Sequence, residues 1–155
     1  MSDQYNGFVS HRHEDDARVA ELKQMLQGHG VDLRDSSVTS ANPNEANSES
    51  YIKSILGDRI RWAGTVFVIV SPQTKNHEWV DWEVEYARKF PDKRIIGIYA
   101  PGAADCDLPE ALERHANAVV AWNANDIIEA MEGKDNWQSA DGSPRPLQPI
   151  SRKDC

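Results

Sequence analysis

Two runs constrain the possible folds of this chain more than anything else in it: TVFVIVS at 65–71 and RIIGIYA at 94–100. Both are apolar and rich in β-branched residues, without the polar alternation of a strand that has one wet face. Such strands are covered on both sides, and sheets covered on both sides are built from parallel strands joined by helical crossovers. The rest of the sequence supplies the crossovers. YNGFVSH (5–11) reads as a first strand, and DDARVAELKQMLQ (15–27) places Val19, Leu22 and Leu26 on one helical face before Gly28 and Gly30 end it. VDLRDSS (31–37) alternates Val31 and Leu33 with Asp32 and Arg34, the pattern of a half-exposed edge strand.

SYIKSILGDRIRWA (50–63) aligns Ile52, Ile55, Leu56 and Ile60, and a helix over EWVDWEVEYA (78–87) is stopped by Pro91. In DLPEALERHA (107–116), Asp107 is the expected N-cap and Pro109 falls in the first turn. AVVAW (118–122) is a fifth strand and DIIEAMEG (126–133) a last helix. Residues 134–155 are polar and proline-containing, and read as a loose tail outside a domain of residues 1–133. The polar stretch 37–50 is long for a simple connection. Five strands alternating with five helices predict an α/β, doubly wound parallel sheet, and the edge character of strand two favours the order 2-1-3-4-5. That order opens a ligand crevice at the carboxyl ends of strands one and three, beside Ser10, His11 and Arg12 and beside Ser71 to Asn76.

Charge and composition narrow the function. The net charge of −8 and the scatter of Lys and Arg speak against a nucleic-acid partner. No apolar run nears the ~20 residues of a membrane helix. The start, MSDQYNG, has no apolar signal core. Two cysteines exclude a disulfide framework and a cysteine metal site, and suit a reducing cytoplasm. His11 and His13 form an HxH, but no third ligand has metal-site spacing. Phosphate-loop, GxGxxG and GxSxG motifs are missing.

The helix over 78–87 carries one residue out of pattern. At ~100° per position, Trp79, Val80, Trp82, Val84, Tyr86, Ala87 and Phe90 fill an apolar arc, and Glu83 falls inside it. Two readings follow. Glu83 is a core charge paired with an Arg or Lys of a neighbouring element, or it is a carboxylate aimed into an apolar cleft, where it stabilises a developing cation such as an oxocarbenium ion. Glycosidases generally use a second carboxyl to protonate the leaving group, and none is evident here. One carboxylate suffices when the leaving group departs without a proton, as nicotinamide does from the ribose of NAD+. That chemistry permits NAD+ without selecting it over other N-glycosides.

The segments YNGFVSHRHEDD, VDLRDSS, IRWAGTVFVIVSPQTKNHEWVDWEVEYA and RIIGIYAPGAADCDLPEAL together resemble a TIR-like domain of the kind found in bacterial Thoeris anti-phage systems. The most specific piece is S-P-x-T-x-N-x-x-W-V-x-W-E at 71–83. The resemblance implies a flavodoxin-like fold, NAD+ consumed as substrate with no bound prosthetic group, and Glu83 as the catalytic residue. It further implies that Ser10, His11 and Arg12 line the nucleotide pocket, with Asp35, Ser36, Asn76 and Trp79 beside it. The stretch from Asp35 to about Asn47 takes the place of the loop that gates the site and joins neighbouring copies. An ADP-ribose-derived signal, often cyclic, would pass to a separate effector protein in the cytoplasm. In one departure, the family's W-C-x-x-E reads W-V-D-W-E here, with Val80 in place of Cys. A non-enzymatic TIR interaction module and a nucleoside N-glycosidase or deoxyribosyltransferase are the competing readings.

Overall fold

The computed structural model describes residues 3–35, 49–72, 74 and 78–144. Five strands, β1 (Asp3–Ser10), β2 (Val31–Asp35), β3 (Thr65–Val70), β4 (Arg94–Tyr99) and β5 (Ala118–Val120), form one parallel sheet in the order β2-β1-β3-β4-β5. The expected order is borne out. Helices α1 (Asp16–Gln27), α2 (Glu49–Trp62), α3 (Glu78–Ala87) and α4 (Glu110–His115) make the four crossovers, and α5 (Ala124–Met131) follows β5.

The two faces of the sheet show why β3 is apolar throughout. Val66, Val68 and Val70 point to a core shared with Leu56 and Ile60 of α2, Val80 and Val84 of α3 and Leu112 of α4. Phe67 and Ile69 point to the opposite core, with Leu22 and Leu26 of α1 and Ile127 and Met131 of α5. Every β3 side chain is buried, so alternation has no wet face to mark. β2 lies at the sheet edge, and its Val31 and Leu33 are buried while Asp32 and Arg34 are exposed.

Where β4 passes under α4 the backbone must come close. A Cβ on Gly97 would lie 2.7 Å from Leu112 Cδ2, in a fully buried layer. Gly97→Val is therefore expected to destabilise the fold by about 1–3 kcal/mol through overpacking. A lowered urea midpoint with an unchanged slope would report it.

Three local expectations need correction. Asp107 is not the N-cap of α4. It ends a 3-10 turn (Asp105–Asp107), where its Oδ2 accepts from Ala104 N at 2.8 Å, and Pro109 holds the cap position. An aspartate can fold back on its own turn as readily as it can cap the following helix. The segment from Lys134 to Pro144 is not loose. Val119 N donates to Asn136 O and Gln138 N donates to Val119 O, both at 2.8 Å, so the chain adds a short parallel bridge along β5. Trp137 and Ala140 pack on the α3 side of the core. One indole in a polar stretch has no periodicity to signal this docking. Cys106 is disulfide-bonded, and the chain's other cysteine, Cys155, lies outside the described residues. A count of two excludes a framework but not a single bridge.

Candidate active site

β1 runs three residues past its pairing with β2, because Gly7 is the last residue matched to Asp35. Alternation then decides which side chains leave β1 on which face. Phe8 and Ser10 face the α3 core, whereas Val9 faces the other. Where β2 has ended, Asp35 Oδ1 accepts from Val9 N at 3.3 Å, a side chain standing in for the missing strand.

α3 packs on the face of the sheet to which Phe8 and Val66 point. Its fully buried row is Val80, Glu83, Val84 and Ala87, at i, i+3, i+4 and i+7. Glu83 thus lies inside the buried stripe rather than at its margin, 7% exposed. The rings of the wheel's apolar arc flank this row. Trp79 meets Trp82 edge-on at 6.1 Å, and Trp82 stacks on Tyr86 at 5.1 Å. All three are half-buried. Trp79 stands one helical turn before Glu83 on α3.

The contact that organises the site joins residues 73 apart in sequence: Ser10 Oγ donates to Glu83 Oε1 at 2.5 Å. Among the described residues no cation pairs with Glu83, so the paired-core-charge reading has no partner there. Burial pushes the Glu83 carboxyl up to about 8, against the opposing pull of the Ser10 hydrogen bond. In the unliganded protein at neutral pH most of it is therefore protonated.

The loop after β1 folds back on itself instead of standing open. His11 has Nδ1 2.8 Å from Val9 O and Nε2 2.6 Å from Asp16 Oδ1, so both ring nitrogens are engaged. Arg12 Nη1 donates to Glu14 at 2.7 Å, while Nε and Nη2 donate to Ser71 Oγ at 3.3 and 3.2 Å. Ser71 Oγ donates in turn to Asp15 Oδ2 at 2.6 Å, and Ser71 N donates to Thr74 Oγ1 at 2.9 Å. This Arg12–Ser71–Asp15 cluster links the loops that follow β1 and β3. Thr74 falls within the stretch Ser71 to Asn76 expected at this edge, whereas Asp15 escapes a sequence reading. Asp15 looks like a helix cap, and it does occupy that position, but its carboxylate is turned to Ser71. Removing it with Asp15→Ala leaves Ser71 and Arg12 short of an acceptor, at an expected cost of about 1–3 kcal/mol. Thermal unfolding of the variant measures that cost.

Of the expected site residues, the structure brings Ser10 and Glu83 together, with Trp79 one turn before the carboxyl on α3. His11 and Arg12 are at the same carboxyl edge but turned to Asp16 and Ser71. Asp35 supports Val9 and lines a separate cleft of ≈ 480 Å³, formed with Arg34, Asp58, Arg59 and Trp62, that includes neither Glu83 nor Ser10. Ser36 and Asn76 lie outside the described residues. Among the described residues no group of three His, Cys, Asp or Glu side chains is placed to hold a metal, and no helix is long and apolar enough to cross a membrane.

Residues 8–105 match the family described as Thoeris protein ThsB, TIR-like domain. The chain belongs to this family. The matched span runs from β1 through α3 and β4, so it contains both Ser10 and Glu83. No curated protein matches the chain. Among solved structures, the RPS4 and RRS1 TIR domain heterodimer is similar at 12% identity and TM-score 0.57, over 84% of this chain and 96% of that one. A putative pilus assembly-related protein of Burkholderia pseudomallei is similar at 14% identity and TM-score 0.52, over 83% and 87%. The TIR domains of the activated Roq1 resistosome match at 21% identity and TM-score 0.42, over 61% of this chain and 57% of that one. At these identities the likeness of the first two is one of fold, the doubly wound sheet of a TIR-like domain.

Proposed function

We propose that this TIR-like protein cleaves NAD+, with Glu83 as the catalytic carboxylate, and releases an ADP-ribose-derived signal, cyclic when an atom of the same molecule captures the ribose, that activates a separate effector in anti-phage defence. The observation that carries the proposal is a buried carboxyl bonded at the carboxyl end of β1, held by one hydroxyl and by no cation among the described residues. In the reaction the bond between ribose C1′ and the nicotinamide nitrogen breaks. Its electron pair stays on nitrogen and quenches the pyridinium charge. Positive charge develops on the ribose, and ionised Glu83 in a low-dielectric site stabilises it. Water then adds at C1′ and loses a proton to solvent, or an atom of the same ADP-ribose adds and closes a ring.

Half-buried Trp79 offers a flat face for the nicotinamide. NAD+ enters as substrate, so no resident cofactor is required, and the cytoplasm would supply it. Self-association is a further expectation, since the RPS4 and RRS1 TIR domains form a heterodimer. The test is chromatography of NAD+ with wild type and Glu83→Gln, as purified protein and in lysate of phage-infected cells. NAD+ loss that survives Glu83→Gln overturns the assignment. Turnover of nucleosides with NAD+ untouched points to an N-glycosidase instead.

A further inference from the structure

We infer that Ser10 is a positioning residue for Glu83: its buried hydroxyl aims the carboxyl into the crevice and stabilises its anionic form, and it does not bind the nucleotide. This rests on the reading of Glu83 as the reacting carboxylate. Ser10 is 1% exposed and Glu83 7%, so the serine lies behind the carboxyl, out of a ligand's reach. Its one donor proton goes to Oε1 at 2.5 Å, within the range of a charge-assisted O–H···O bond. That leaves Oε2 as the oxygen available to substrate.

Ser10 is itself held in place. It leaves β1 on the α3 face because alternation puts it there, and the residue before it is fixed by the Val9 N to Asp35 bond. Asp35, expected beside the nucleotide, thereby reaches Glu83 through β1 instead.

No charged neighbour among the described residues duplicates the serine's role. On α3, Glu85 is engaged with Arg88 and with His115 of α4, and Asp81 and Glu78 lie outside the buried row. From α2, Lys53 sits 5.8 Å from the Trp82 ring centroid. From the loop after β1, Arg12 and Asp15 are bonded to Ser71. β3 (Thr65–Val70) carries no charge. The Ser10 hydroxyl is thus the described group that favours ionised Glu83 against burial.

The experiment follows the Glu83 side-chain carboxyl by carbon-13 NMR across pH in the full chain, with the resonance assigned by its loss in Glu83→Gln. In Ser10→Ala the titration midpoint is expected to rise by about one pH unit, the size of a hydrogen bond to a charged group. Ser10→Cys, of similar volume and a weaker donor, should move it part of the way, and serves if the alanine variant does not fold. Ser10→Thr keeps the hydroxyl and should restore the wild-type midpoint. In NAD+ turnover, the rising limb of kcat/KM should shift with the NMR midpoint. An unmoved midpoint in both Ser10→Ala and Ser10→Cys overturns the inference, as does a raised KM with an unmoved limb, which would mark a nucleotide-binding serine. If NAD+ is not consumed at any pH while the midpoint still moves, the NAD+ reading fails and the positioning role of Ser10 stands.

Discussion

Glu83→Gln is expected to make the protein more stable than wild type, and increasingly so as pH rises. The folded carboxyl titrates near 8, against 4.5 for the unperturbed group. Between those values the folded state holds a proton that the unfolded chain has released. Stability therefore falls as pH climbs from about 4.5 to about 8 and levels off above it. A shift of this size corresponds to roughly 3–5 kcal/mol at the alkaline end, a large share of the ~5–15 kcal/mol that holds a domain together. Glutamine is nearly isosteric, carries no charge, and offers Ser10 the same kind of acceptor. The two proteins should unfold at similar temperatures at pH 5 and differ by about 10 °C at pH 9. Circular dichroism melts at pH 5, 7 and 9 measure this. Parallel pH dependences in the two proteins would show that Glu83 is not held in its neutral form by the fold.

The same substitution is expected to reduce NAD+ cleavage by at least about 100-fold, the usual scale for losing one electrostatic stabiliser of a transition state. Stability and activity thus move in opposite directions, as they do when a site keeps a group the fold would rather exclude. The wild-type pH profile carries a second signature. Only ionised Glu83 can stabilise a ribosyl cation, and in the free protein that form is roughly a tenth of the total at pH 7. The limb of kcat/KM, which reports the free enzyme, should rise with pH through about 8. Bound NAD+ brings a positive pyridinium beside the carboxyl and favours its ionisation, so the limb of kcat should lie at lower pH. Initial rates of NAD+ loss at limiting and saturating substrate separate the two. A kcat/KM that is flat from pH 6 to 9 would count against Glu83 as the ionising group.

Legibility followed distance along the chain. The apolar run of β3, the alternation of β2 and the crossover helices are local signals, and each is seen in the fold. The position of Glu83 on the buried face of α3 is local as well, since a helix wheel needs only neighbouring residues. Asp107 failed as a helix cap because two nearby turns compete for one carboxylate. Trp137 failed as a tail residue because its docking on the core depends on an edge of β5 left open by other strands. His11 and Arg12 were rightly located at the carboxyl edge, but their partners Asp16 and Ser71 follow from how the loop after β1 folds.

By itself the sequence determined a doubly wound parallel sheet, its strand order, and a carboxylate on the wrong face of one helix, because periodicity and strand coverage are written in consecutive residues. The tertiary structure alone decided what that carboxylate meets. Ser10 and Glu83 are 73 residues apart and come to 2.5 Å only because β1 lies beside β3 and α3, which follows β3, packs on the same face of the sheet as Phe8. Whether a buried glutamate is a paired core charge or a lone acid depends on which side chains that packing brings together. Among the described residues it brings one hydroxyl and no cation.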